Sequence, residues 1–599
     1  MTMALRKSMR VAPNVTRQVA ASAPLAAIAC AVAVVLAGCS RPADPALPAS
    51  AATASAAPEA VLAPSAASGV SVASVASAQP LPTRDHAEQD AHGIAWRQAS
   101  SDADVDAAFA QARTEGKPLF LYWGAKWCPP CNQVKATLFN RQDFIERSRA
   151  FVPVYVDGDS PGAQKLGARF KVSGYPTMLL FSPQGAELTR LPGEVEAERY
   201  TQVLTLGMNA QRPVKEVLAQ ALAASDSPKA SSGKVSAGAL TANDWKLLAF
   251  YSWDTDQAQL VPEADTPAVL KKLADAVPRD PPETATRLRL KALAAVDGKA
   301  PLQPNAAAQA MLIAGLADPA ASRAQLEMLT NYAPEITRAL SARGTPQRAE
   351  LLAAFESGLK RFEADASLSR ADRITALIAR VDLARIDLPK DSKTVPPLPP
   401  QLLADVREHA ARDDREITNG YERQAVITSA AYLLREAGLA DESDALLQAN
   451  LAKSHSPYYL MSQLATNAKK RGDTAGALRW SQEAFEKSEG PATRLQWGAS
   501  YVGTLLELAP KDEARIEQAA RQLITEAAAQ PDAFYERSGR SLSRTMKKLQ
   551  AWNQGGVHAA AMARLQTQLG GVCKAIAAGD PQKASCEALG KPAAESRAS

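Results

Sequence analysis

Short apolar runs alternate with helical patterns over the first third of the chain, and almost everything after that has helical period. Pro118-Leu119-Phe120-Leu121 reads as a buried strand, as does Phe151-Val152-Pro153-Val154-Tyr155-Val156. Met178–Phe181, the turn Ser182-Pro183-Gln184-Gly185 and Leu188–Leu191 read as a β-hairpin. Between the strands, Val105, Ala108, Phe109 and Ala112 fall on one helical face after the start signal Ser101-Asp102. Further helices are expected over Gln164 to Phe170 and Glu194 to Met208. This order predicts an α/β domain over 94–215, with a central sheet covered by helices on both faces. From 241 to 572 an all-α region is expected, interrupted by Pro396-Pro397-Leu398-Pro399-Pro400, which is expected to divide two helical blocks.

Two compositionally biased stretches frame the α/β unit. Residues 39–93 are rich in Ala, Pro, Ser and Val without periodicity and cannot bury enough surface to fold, so a disordered tether is expected there. A Ser/Ala/Gly/Lys-rich stretch suggests a linker over 216–240, and 573–599 reads as a cysteine-containing tail. At 599 residues the chain is long enough for two or more domains, and its abundant Ala with only 5% aromatic residues favours helix. The net charge of +5 is weak for this length. With no basic block interleaved with aromatics, nucleic acid is discounted as a partner.

The chemistry concentrates at Trp127-Cys128-Pro129-Pro130-Cys131, directly after the first apolar strand and ahead of a helical stretch beginning at Asn132. A thiol at a helix start sits where backbone N–H groups favour an anion, so the Cys128 thiolate is stabilised. On this reading Cys128 is exposed and attacks, while Cys131, one turn in, is shielded and closes a disulfide. A pair of cysteines is also half a zinc site, but structural zinc takes four ligands; Cys573 and Cys586 have the wrong spacing, and no His neighbours Cys128 in sequence. No metal or other cofactor is expected.

This strand, motif and helix resemble the active site of the thioredoxin superfamily. Gly174-Tyr175-Pro176-Thr177 ahead of the strand Met178–Phe181 resembles that family's cis-proline loop. The likeness runs from about Trp96 to Arg212. It implies catalytic Cys128 and Cys131, with Trp127, Pro129, Pro130, Tyr175 and Pro176 in support and Lys126 expected to add positive potential. It also implies protein substrates carrying disulfides or thiols and an electron-donor protein. Members of the family often carry a buried Asp six residues before the first cysteine; here that residue is Tyr122.

At the N-terminus, Arg6, Lys7, Arg10 and Arg17 precede an apolar stretch too short to span a bilayer as an ordinary helix. It ends in Leu36-Ala37-Gly38-Cys39, which resembles a bacterial lipobox. The resemblance implies a signal peptide over 1–38, lipidation of Cys39 and attachment to a membrane on the periplasmic side of the envelope, with Ser40 favouring the outer membrane. In that oxidising setting Cys573 and Cys586 are expected to form a structural disulfide, or else to serve as a relay for the first pair. Within the helical region Ala431, Gly438, Lys453, Ser454 and Pro457 recur at one constant offset as Ala465, Gly472, Lys487, Ser488 and Pro491. That offset matches the tetratricopeptide period, and the repeat is placed at about 424–491; its alternative is an irregular bundle. Leu460, Met461 and Leu464 read as core, and His409, His455 and His558 as surface or core groups. The sequence thus supports an envelope disulfide reductase with a partner-binding helical region, set against a non-catalytic helical scaffold.

Overall fold

The computed structural model describes residues 93–591 apart from 192, 194–195, 211, 226–239, 297–304 and 390–395. The leader expected at 1–38, Cys39 and nearly all of the tether expected at 39–93 lie outside the described residues.

The sheet contains β1 (Arg97–Gln98), β2 (Leu119–Gly124), β3 (Val152–Asp157), β4 (Thr177–Phe181) and β5 (Glu187–Leu191), in the order β1-β3-β2-β4-β5. β3 runs parallel to β1 and β2, whereas β4 is antiparallel to β2 and β5. The central strand β2 is buried along its whole length because both faces are covered. Its alternate residues Leu119, Leu121 and Trp123 pack with Val105, Phe109 and Leu166. Those partners lie on α1 (Asp102–Glu115) and α4 (Ala163–Phe170). Phe120 and Tyr122 point the other way, toward Val134, Phe144 and Val203. These come from α2 (Pro129–Thr137), α3 (Gln142–Ser148) and α5 (Ala197–Met208). Ser101 starts α1 with a capping box in which Ser101 and Asp104 satisfy each other's backbone N–H, and Gly116 ends it at φ 64°. This is a thioredoxin-like α/β domain with a mixed five-stranded sheet, followed by a large all-helical region.

Two expectations are corrected. The N-terminal part of the linker expected at 216–240 is helix: α6 (Val214–Ser225) buries Val214, Val217, Leu218 and Ala221 in the core that also holds α5. Its Ala-rich composition masked an apolar stripe at helical spacing. The proline run at 396–400 does not divide the helical region either. Leu398 is itself buried, and Ile374 and Ile378 before it pack with Leu402, Val406 and Val426 after it.

The helical region is a chain of helices joined by short connections. Around the expected repeat, the helices Ala440–Asn450 and Thr474–Glu486 begin one such period apart, as do Pro457–Lys470 and Pro491–Leu508. Gly438 and Gly472 occupy left-handed backbone at φ 90° and 79° in equivalent turns, a conformation that suits glycine. Leu460, Met461 and Leu464 are buried. Among the described residues no helix is long and apolar enough to cross a membrane.

Candidate functional site

β2 delivers the chain to the redox motif at one end of the sheet. Cys128 is the N-cap of α2 in extended backbone (φ −70°, ψ 112°), and its Sγ accepts the Cys131 N–H at 3.2 Å. Pro129 follows at the first helical position, where its fixed φ suits a helix and its missing N–H costs no bond. Asn132 Nδ2 donates to the carbonyls of Lys126 and Cys128, both at 2.8 Å, and pins the loop that presents the cysteines. Cys128 and Cys131 are joined as a disulfide. The Tyr175–Pro176 peptide is cis, and register carries it to the same end of the sheet, since Thr177 pairs with Trp123.

Tyr122, at the position where the family often carries a buried Asp, does not supply a proton acceptor. Its ring stacks on Tyr155 and meets Phe139 edge-on. Its hydroxyl is buried without a hydrogen-bond partner among the described residues, and burial drives it far above the ordinary phenol range.

The redox face is covered. Cys128 is 2% exposed, Cys131 0% and Trp127 4%. The exposed attacking thiol expected from sequence is therefore absent from this conformation, because helices from the C-terminal part of the chain close over it. Tyr459 stacks on the Trp127 ring with centroids 5.8 Å apart, and Trp497 meets the same ring edge-on at 6.2 Å. The Arg537 guanidinium lies 4.5 Å from the Trp127 ring centre and 5.0 Å from that of Tyr175. Gln424 donates to the Trp127 carbonyl at 3.4 Å and is itself oriented by the Ser454 hydroxyl. The His455 ring reaches the Lys126 carbonyl at 3.1 Å. Lys126 keeps a half-exposed side chain 3.8 Å from Glu489.

Beside this aromatic cover the two parts of the chain exchange helix caps. Helix α4 begins at Gly162 and helix Pro491–Leu508 at Gly490, both in left-handed backbone and neither with a side chain to cap the helix. Asp532 from the helical region accepts the Gln164 N–H of α4 at 2.8 Å. In return Asp159, just past β3, accepts the N–H and hydroxyl of Thr493 at 2.7 and 2.6 Å. A carboxylate there satisfies orphan donors and complements the positive end of the helix. Burial and the neighbouring Asp157 carboxylate push Asp159 up to about 7, against the pull of Thr493 and Arg537. Arg537 N–H to Gln164 Oε1 (3.1 Å) and Arg540 to the Ser173 carbonyl (2.8 Å) complete the seam.

Cys573 and Cys586 are joined as a second disulfide between the helices Ala559–Ala575 and Gln582–Leu589, buried in the apolar cluster that also includes Trp127 and Cys128. No group of three or more His, Cys, Asp or Glu among the described residues could hold a metal ion. Sequence reasoning missed Asp159, Asp532, Arg537, Gln424 and His455. The signal available for the first two was a pair of helix starts, Gly162-Ala163 and Gly490-Pro491, without a capping side chain of their own.

Residues 105–207 match the family model described as a thioredoxin-like domain. That stretch is a thioredoxin-like domain. The chain is 32% identical over 106 residues to thiol:disulfide interchange protein DsbD 1 of Pseudomonas aeruginosa, covering 17% of this chain and 18% of the relative. It is 30% identical over 112 residues to DsbD of Pseudomonas fluorescens, covering 18% and 19%. Against DsbD of Yersinia pestis it is 32% identical over 105 residues, covering 17% of each. The chain thus spans less than a fifth of the length of these curated relatives. The domain and its Cys128–Cys131 pair have the parts that thiol–disulfide exchange requires.

Proposed function

We propose that the chain is an envelope thiol–disulfide oxidoreductase acting as a protein disulfide reductase. The observation that carries this reading is the Cys128–Cys131 disulfide at the N-terminus of α2, with the first sulfur as the helix cap, in a thioredoxin-like domain. The Cys128 thiolate attacks a substrate disulfide, forming a mixed disulfide and releasing one substrate thiolate. The Cys131 thiolate then attacks Cys128 Sγ, releasing the second substrate thiol and forming the Cys128–Cys131 disulfide. Two electrons pass to the substrate, and an electron-donor protein returns two to regenerate the dithiol. Trp127, Pro129, Pro130, Tyr175 and Pro176 shape the loop around the pair. The relatives' names describe thiol:disulfide interchange, which supports the class of reaction.

Substrate access requires the cover over Cys128 to move away. The helical region, tetratricopeptide-like over about 424–491 on the strength of its periodic helix spacing, then acts as the cover and as the surface that partners compete for. Lipidation at Cys39 would hold the protein at the periplasmic face of the envelope, on the outer membrane. A Cys39→Ala variant that keeps a fatty-acid label refutes this anchoring.

The burial of Cys128 favours one second reading, in which the thioredoxin-like domain is a docking block for a helical scaffold and never reacts. Trapping separates the two. Cys131→Ala should accumulate covalent partner adducts on non-reducing gels after acid quenching, and Cys128→Ala should not. Absence of adducts from both variants, with no insulin reduction by the full chain, would install the scaffold reading.

A further inference from the structure

Arg537 stands out because it reaches the redox loop from outside the thioredoxin-like domain. Its guanidinium is held between the ring of Trp127, adjacent to Cys128, and the ring of Tyr175, adjacent to the cis-proline. The position is fixed from both ends. The Arg537 backbone N–H donates to Gln164 Oε1, and Gln164 Nε2 donates to the Tyr175 hydroxyl at 3.1 Å. Burial lowers the Arg537 pKa, but the guanidinium is basic enough to keep its charge.

We propose that Arg537 is a positioning residue for the redox pair: by docking, the helical region supplies a cation that favours the Cys128 thiolate and so sets how oxidising the Cys128–Cys131 couple is. This rests on the reading of that pair as a working dithiol. Reduction of the disulfide takes two electrons and one proton to give the Cys128 thiolate and the Cys131 thiol. Whatever stabilises that thiolate draws the equilibrium toward the reduced pair and makes the couple more oxidising. Burial among Trp127, Tyr459 and Trp497 works the other way, since an apolar setting disfavours a thiolate. The helix start at α2 helps the anion, and so does a cation stacked on the ring of Trp127, the residue before Cys128. The other charged groups at this face do not replace Arg537. Lys126 is half-exposed and turned toward Glu489, His455 meets the Lys126 carbonyl, and Lys135 lies over the Tyr421 ring. Burial weighs against the charge of Arg537, Tyr175 and Asp159 favour it, and Arg540 repels it.

The test uses the full chain. Thiolate absorbance against pH in a Cys131→Ala background reads the Cys128 titration, and equilibration of the intact pair with glutathione reads the couple. Arg537→Gln should raise the thiolate midpoint by about one pH unit and shift the glutathione equilibrium about tenfold toward the disulfide, which is about 30 mV for two electrons. Arg537→Lys should restore most of both and guards against a folding defect. If Arg537→Gln only lowers thermal stability and leaves midpoint and equilibrium in place, Arg537 is a packing residue and the proposal falls. If the wild-type pair does not exchange with glutathione at all, the dithiol reading falls first and this proposal with it.

Discussion

Replacing Asp532 by Ala should open the redox face without touching the thioredoxin-like domain. Asp532 is buried, and its carboxylate receives the Gln164 N–H at 2.8 Å at the start of a helix with no cap of its own. Losing a helix cap costs about 0.5–2 kcal/mol, and stranding a buried N–H costs about 1–3 kcal/mol. The two figures describe one interaction, so about 2 kcal/mol is a fair value for the loss. In the undocked state Gln164 N–H meets water, so the loss falls on docking and not on the domain's own fold. At about 1.4 kcal/mol per tenfold, the open fraction should rise about 30-fold. The assay is the alkylation rate of Cys128 in the reduced protein at fixed pH. Where opening and closing are fast relative to alkylation, that rate tracks the open population. A rate within twofold of wild type, accompanied by a lower melting temperature, would show that Asp532 stabilises the fold and not the cover. A wild-type rate equal to that of a free thiol would refute the cover itself.

Asp159 gives the cover a pH dependence whose sign follows from its burial. In the docked chain burial, with the neighbouring Asp157, holds its carboxyl up at about 7, against 3.8 for an ordinary Asp, so the docked state favours the protonated form. The stabilisation is complete below about pH 4 and is lost as pH rises through about 7, by at most about tenfold in the open fraction per pH unit. The protection factor for amide exchange at the start of helix Pro491–Leu508 should therefore be lower at pH 8 than at pH 6, and Asp159→Asn should flatten the difference; equal pH dependence of protection in both proteins counts against the assignment. Converting both Cys573 and Cys586 to Ser removes a disulfide with a sequence separation of 13 and should cost about 3 kcal/mol in thermal unfolding, leaving trapping by Cys131→Ala intact. Turnover lost with stability unchanged would instead make this pair the relay.

The redox loop was legible because its signals are local. An apolar strand, two cysteines one turn apart and a Tyr-Pro ahead of a second strand lie within one domain, and each carries its own stereochemistry. The paired β4–β5 hairpin was legible for the same reason, as turn residues and alternation sit side by side. What covers the loop was not. Tyr459, Trp497 and Arg537 reach Trp127 from distant parts of the chain, and nothing adjacent to them in sequence marks them as anything but helical core and surface. The helix over Val214–Ser225 was hidden by composition, since Ala-rich sequence reads as linker until its apolar stripe finds a partner. Gly162 and Gly490 are the informative failures of local reading: a helix start without a capping side chain is an unmet need, and here each need is met from the other part of the chain.

That exchange also bears on whether the cover is permanent. Reciprocal caps and ring stacking on Trp127 favour the docked state, but it is not fully satisfied. The indole N–H groups of Trp127 and Trp497 are both buried without a hydrogen-bond partner among the described residues, in the same aromatic cluster that seals Cys128. Each unmade bond costs about 1–3 kcal/mol relative to exposure to water, comparable to what each exchanged cap contributes. The contacts that hold the face shut and the donors that would gain from opening it are therefore of similar size. A polypeptide that offers carbonyl groups to those two indoles gains in the open state what the closed state leaves unmade, and only such a difference between states can shift the balance toward access to Cys128.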